Sequence, residues 1–244
     1  MSTSPVIAVV GASGGLGAST FALAVGRRLA ATGPPALVVD LDTGGGGLDV
    51  TAGVEHLPGR RWSAFAEVRG RVDPDLLLGS LPEEEGCRLL SAGGPSAGPV
   101  PETAVRDVLA SVLGARGPVV LDVASRGPVT PPWLAADPLL LVLVSLRTRG
   151  LADADACVER LLEAAEASGV RPDLRLVTRG ARPTPEVLDD VVAHLGVAHL
   201  AHVADDPRVS RDAERGMWPG TGRDEVRRAA DAVVEAVDVL SEAS

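Results

Sequence analysis

The stretch Val9-Val-Gly-Ala-Ser-Gly-Gly-Leu-Gly-Ala-Ser-Thr20 (VVGASGGLGAST) follows the apolar run Val6 to Val10 and leads into the helix-forming segment Ala18 to Ala31. A strand that turns through closely spaced glycines into a helix points backbone N–H groups at one spot, with the positive end of the helix behind them. Such a turn is shaped for a phosphate group. Glycines also pack a strand tightly onto a helix with no ligand at all, so the rest of the chain has to decide between the two.

The alternation of short apolar runs with helix-period segments predicts βαβ units. Strands are expected at Val6 to Val10, Ala36 to Leu41, Arg88 to Ser91, Pro118 to Val123, Leu139 to Val144, Leu174 to Thr178 and Ala198 to Ala201. Helices are expected at Ala18 to Ala31, Glu102 to Leu113, Ala152 to Ser168, Pro185 to Leu195, Arg208 to Gly216 and Asp224 to Ser241. The resulting fold class is α/β, a doubly wound and mostly parallel sheet with helices on both faces. Residues 1–244 read as one domain, with 44–86 as an irregular helical excursion inside it. In the last helix Val226, Ala230, Val233, Val237 and Leu240 form one stripe, and the opposite face is acidic. A membrane-binding helix would carry a basic polar face and bulky aromatics, so packing on the sheet is expected instead.

Composition narrows the function. The chain of 244 residues is 45% hydrophobic but only 2% aromatic, so its core must be built from Val, Leu and Ala. A formal charge of −10 opposes a nonspecific DNA or anionic-membrane surface, which needs a basic field. Cys87 and Cys157 lack paired spacing and read as buried free thiols in a reducing compartment. His56, His194, His199 and His202 form no recognised ligand spacing. The longest strongly apolar run, Pro138 to Val144, is far short of the roughly 18 residues that span a bilayer, so a cytoplasmic protein without a transmembrane segment is expected. All 23 basic residues are Arg, with no Lys anywhere, and Tyr is also absent.

Those two absences bear on the opening loop. Gly11, Gly15 and Gly17 have the spacing of a short-chain dehydrogenase dinucleotide loop, Asp40 closes a second strand where a ribose-binding acid would stand, and Ser91-Ala-Gly-Gly94 and Ser125 extend the likeness. The chemistry of that family resembles a proton relay in which Tyr moves the proton and Lys lowers its pKa. A chain with neither cannot run it in the usual way, which disfavours an NAD(P)-binding dehydrogenase.

The segment Ser13-Gly-Gly-Leu-Gly-Ala-Ser-Thr20 aligns with K-G-G-x-G-K-[ST]-[ST], the deviant Walker A loop, and so resembles the MinD/ParA superfamily of P-loop proteins. The resemblance implies that Ser13, Gly14, Gly15, Leu16, Gly17, Ala18, Ser19 and Thr20 wrap the phosphates of ATP or ADP, and that the Ser19 hydroxyl ligates Mg²⁺. It also implies roles for three acids. In Val38-Val-Asp-Leu-Asp42, Asp40 lies near the metal shell and Asp42 positions the attacking water. In Val119-Val-Leu-Asp122, a Walker B-like strand, Asp122 holds Mg²⁺ through water. Arg179 stands where relatives place an Asn that reads the base.

A narrower likeness runs along nearly the whole chain. Gly59-Arg-Arg-Trp62, Leu81-Pro82, Leu89-Leu-Ser91, Val177-Thr-Arg-Gly180 and Ala213-Glu-Arg-Gly-Met-Trp-Pro219 resemble actinobacterial CpaE-like proteins, relatives of TadZ, some described as septum-site-determining. That implies a homodimer that positions a Tad-type pilus or secretion machine, partnered with its secretion ATPase. Such a protein would be recruited by its partners to the cell pole, the septum or the inner face of the membrane. Trp62 and Trp218 are expected to be packing anchors.

This chain departs from the family at two positions. Active members carry a lysine at Ser13 that reaches across the dimer and another at Ala18 that clamps the β- and γ-phosphates. Losing one such transition-state donor typically costs about 10² to 10³ in rate, so the chain reads as a pseudo-ATPase or a very weak ATPase. The alternative is a working positioning ATPase in which Arg147, Arg149 or Arg179 replaces the lysines. No DNA partner is expected.

Overall fold

The computed structural model describes residues 4–43, 46–92, 98–125 and 132–243. Its strands are β1 (Val6–Gly11), β2 (Ala36–Asp40), β3 (Glu83–Glu84), β4 (Cys87–Leu90), β5 (Val119–Val123), β6 (Leu139–Ser145), β7 (Leu174–Gly180) and β8 (Ala198–Ala204). They form one eight-stranded sheet in the order β3-β4-β2-β5-β1-β6-β7-β8. Every pairing is parallel except the short β3–β4 hairpin at one edge.

The helices are α1 (Ala18–Thr32), α2 (Leu48–Ala52), α3 (Pro74–Gly79), α4 (Glu102–Val112), α5 (Thr148–Ala167), α6 (Pro185–Leu195), α7 (Pro207–Glu214) and α8 (Glu225–Ala243). The strands are apolar on both sides because both faces of the sheet are covered. Ile7 and Val9 of β1 pack with α1, α2 and α8, whereas Ala8 and Val10 face α3, α4, α5 and α6. The doubly wound α/β architecture expected from the sequence is therefore the observed one. On α8, Val226, Ala230, Val233 and Val237 of the expected stripe are buried, whereas Leu240, near the end of the helix, is exposed.

Several boundaries differ from the sequence reading. Helix α5 starts at Thr148, not Ala152, because the chain enters the helix directly after β6 through Arg-Thr-Arg-Gly150. A Cβ on Gly150 would lie 2.6 Å from that of Ser145, so glycine is what permits this tight entry. Strand β8 runs on to Ala204, since β7 offers it a parallel partner as far as Gly180. Within 46–86 the excursion holds α2, a 3₁₀ turn at Trp62–Phe65 and α3, but it ends in the extended pair Glu83–Glu84, which sequence periodicity cannot reveal. Gly44 and Gly45 of the Gly44–Gly47 run, and Gly93–Gly94, lie outside the described residues.

Gly53 ties the excursion to the far end of the chain. It closes α2 in the left-handed region at φ 73°, and an added Cβ would fall 2.1 Å from the Gly216 carbonyl oxygen. Gly53→Ala combines left-handed strain with a steric clash and should destabilise the fold by about 2 kcal/mol. Denaturant unfolding would register this as a lowered midpoint at unchanged slope, and an unchanged midpoint would show that the contact is dispensable.

Candidate nucleotide-binding site

The carboxyl ends of β1, β2, β5, β6 and β7 lie along one edge of the parallel sheet, the usual ligand position in an open α/β fold. Between β1 and α1 the loop turns twice through the left-handed region, at Gly15 (φ 78°) and at Gly17 (φ 80°), and Gly17 caps α1 with no side-chain hydrogen bond. That uncapped end leaves the first N–H groups of α1 free to meet an anion. Gly14 and Gly15 are exposed, and Ser13, Leu16, Gly17, Ala18, Ser19 and Thr20 are half-buried. The loop thus keeps its backbone cradle, with uncharged side chains at positions 13 and 18.

Asp40 and Asp122 are register partners on adjacent strands and both are buried. The Ser19 hydroxyl donates to the Asp122 carboxylate. The Asp40 carboxylate accepts the backbone N–H of Asp42 at 2.9 Å, of Leu48 at 3.2 Å and of Ala92 at 3.4 Å. It therefore fastens the turn after β2, the start of α2 and the segment leaving β4 to one point, a structural task that the sequence reading missed. Burial, followed by the charge of Asp122, pushes Asp40 up to about 7. Burial and the charge of Asp42 push Asp122 up to about 6 against the Ser19 hydrogen bond. Asp42 itself is exposed. Two desolvated carboxyls that repel each other beside a hydroxyl form a place where a divalent cation would be welcome. Among the described residues no group of three or more His, Cys, Asp or Glu could hold a metal by itself, so such an ion would need oxygens from a phosphate or water.

Trp62 lies beneath the acids. Its indole Nε1–H donates to the Asp40 carbonyl at 2.6 Å. Arg61 holds the approach by pairing with Asp49 at 2.9 Å and donating to the carbonyls of Val54, Leu57 and Gly59.

A cavity of about 180 Å³ lies on the other side of the loop, lined by Gly17, Thr20, Arg179, Val209, Trp218 and Gly220 among others. Arg179 reaches Gly17 and pairs with Asp205 at 3.5 Å. Trp218 is buried and donates its indole N–H to the Leu23 carbonyl at 3.0 Å. Both tryptophans that the sequence marks as anchors are thus packed and hydrogen-bonded.

One further feature escaped the sequence. Thr178, fully buried next to Arg179, places its hydroxyl 3.0 Å from His199 Nε2 and 3.0 Å from His202 Nδ1. One hydroxyl hydrogen can serve only one ring, so the other ring must donate to it. Burial holds both histidines below their ordinary pKa. A bulge at Leu176/Val177 brings the two imidazoles together, and no spacing rule would have found it. On the outer side of the loop lies a cleft where Ser13 and Gly14 meet Arg147 and Arg149, which the sequence singled out, and Arg160, which it did not.

No known protein-family profile matches the chain. It is 37% identical over 219 residues, 86% of its length, to the uncharacterized Mycobacterium tuberculosis proteins Rv3660c (strain H37Rv) and MT3760 (strain CDC 1551), and it spans 57% of their length. Among solved structures it is similar to MinD in the MinC:MinD cell division complex of Aquifex aeolicus (TM-score 0.72, 17% identity, 96% of each chain). It is also similar to a ParA family ATPase from Chlorobium tepidum (TM-score 0.70, 15% identity, 96% of this chain and 99% of that one). A third likeness is to a putative plasmid partition protein from Borrelia burgdorferi bound to AMPPNP (TM-score 0.64, 10% identity, 95% of this chain and 97% of that one). With its eight-stranded, mostly parallel sheet and its glycine turn at the carboxyl end of β1, this chain has the fold of the MinD/ParA P-loop NTPases.

Proposed function

We propose that the chain is a MinD/ParA-like localisation protein that binds ATP or ADP with Mg²⁺ and hydrolyses ATP very slowly or not at all. The carrying observation is a cradle that keeps Gly15 and Gly17 in left-handed conformations beside Ser19, Asp40 and Asp122, while Ser13 and Ala18 hold no charge. In this reading the N–H groups of residues 14–20 hold the phosphates. Ser19 reaches the metal directly, and Asp40 and Asp122 reach it through water. Arg179 and the cavity beside Trp218 receive the base. Asp42 is placed to orient water, but a transferring phosphoryl group finds no lysine to take up its charge.

The biological role follows from the sequence resemblance to CpaE-like and TadZ-like proteins. A homodimer places a Tad-type pilus or secretion machine, or a septum site, through a partner such as the secretion ATPase. Neither DNA nor direct membrane insertion is part of the proposal. Among the described residues no helix is long and apolar enough to cross a membrane.

Titration calorimetry with Mg·ATP alongside a phosphate-release assay tests the nucleotide half. Binding without turnover above background is expected, and turnover matching an ordinary ParA ATPase would overturn it. Co-purification of a secretion ATPase tests the partner half.

A further inference from the structure

The cleft beside the outer wall of the phosphate loop is about 520 Å³ and is lined by Ala12, Ser13, Gly14 and Leu16 on one side and by the β6–α5 junction on the other. Three arginines, Arg147, Arg149 and Arg160, face it, against a single acid, Asp153. This is a local excess of positive charge on a chain whose net charge is −10. Arg160 is occupied, donating to the Ser125 carbonyl at 2.8 Å. Arg147 and Arg149 are exposed, and neither forms an ion pair among the described residues. Other exposed arginines, such as Arg60, Arg116 and Arg171, also form no ion pair among the described residues, so what sets Arg147 and Arg149 apart is the cavity they share with the glycine loop. The two unmatched guanidiniums share a cavity with the very loop whose own cations are absent.

We propose that Arg147 and Arg149 bind the terminal phosphate of a nucleoside triphosphate seated in the Gly11–Thr20 loop, so that the chain distinguishes triphosphate from diphosphate. The inference rests on the nucleotide-binding reading above and adds what that reading lacks, a cation at the Ser13–Gly14 end of the loop. The geometry favours phosphate over an acidic protein segment because one wall of the cleft is the phosphate loop itself. Guanidinium groups suit phosphate through paired, charge-assisted hydrogen bonds. Their long side chains start from the β6–α5 junction and not from the loop, so they bind the terminal phosphate without occupying the position of a lysine at residue 18. Discrimination without efficient hydrolysis is the expected result, a property suited to a protein that reports nucleotide state to a partner.

The test is calorimetry of the full chain with Mg·AMPPNP and with Mg·ADP, comparing wild type, Arg147→Ala/Arg149→Ala and Arg147→Lys/Arg149→Lys. Wild type should prefer the triphosphate by about 10- to 100-fold, the range set by one or two charge-assisted hydrogen bonds. The alanine pair should lose that preference while keeping its ADP affinity, and the lysine pair should keep part of it. Both side chains are exposed, so the variants should melt with wild type, and retained ADP binding provides an internal check on folding. An equal preference in wild type and the alanine pair would overturn this proposal alone, as would a wild type that binds both nucleotides equally. A wild type that binds neither would overturn the nucleotide reading and this inference with it.

Discussion

Trp62→Ala should be among the most damaging substitutions in this chain, lowering the free energy of unfolding by about 3–5 kcal/mol, the usual range for truncating a buried tryptophan. Trp62 is fully buried in a core that holds Phe65, Trp133, Leu77 and Leu90 and is otherwise mostly Leu, Val and Ala. With so few aromatic residues, little nearby can swing in to fill the void. The indole also donates to the Asp40 carbonyl, and the Trp62 backbone N–H donates to Ser91 at 2.9 Å, so one residue joins the ends of β2 and β4. Trp62→Phe keeps most of the apolar volume and loses only the donor, and should cost about 1–3 kcal/mol. Equilibrium urea unfolding of both variants checks the order. A Trp62→Ala loss below that of Trp62→Phe would show that the site collapses around the truncation and that the packing argument is wrong.

The sheet itself was legible because its central strands are short runs apolar on both faces, and β1, β6 and β7 are each followed by a helix-period segment. Those two periodicities place β1, β2, β5, β6 and β7 without any tertiary information. The loop was legible for the same local reason, since left-handed turns such as those at positions 15 and 17 favour glycine. Asp40 and Asp122 could be named from strand ends, but their direct adjacency depends on β2 and β5 being neighbours, which is a property of topology. What stayed hidden depends on longer-range or irregular geometry. The Glu83–Glu84 strand exists only because Arg88 and Cys87 lie opposite it. The Thr178, His199 and His202 contact depends on one bulge, and Arg147 and Arg149 could be named from the sequence, but their cleft with Arg160 depends on where α5 begins.

The acids give the second large effect, and its sign is opposite to the usual one for carboxylates. In the unfolded chain Asp40 and Asp122 titrate near 3.8, whereas in the fold they rise to about 7 and about 6. The folded state therefore holds protons that the unfolded state has released, and stability from this pair is fully present below about pH 4 and falls as the pH rises through 6 and 7. Asp122→Asn removes one of the two desolvated charges, relieves Asp40, and leaves an oxygen to accept the Ser19 hydroxyl. At about 1.36 kcal/mol per pKa unit, the variant should be roughly 2–3 kcal/mol more stable than wild type at pH 8, with the difference gone by pH 4. Thermal melts across that range check it, and a variant less stable than wild type at pH 8 would show that the pair is compensated in some other way. The same measurement bears on the proposed chemistry. If Mg²⁺ with a nucleotide is what the ionised pair is held ready for, the complex should recover in wild type, at pH 8, the stability that burial of the two charges, and secondarily their repulsion, removes, and should do so far less in Asp122→Asn. A site that weakens the free protein at neutral pH and is relieved by a ligand couples binding to folding.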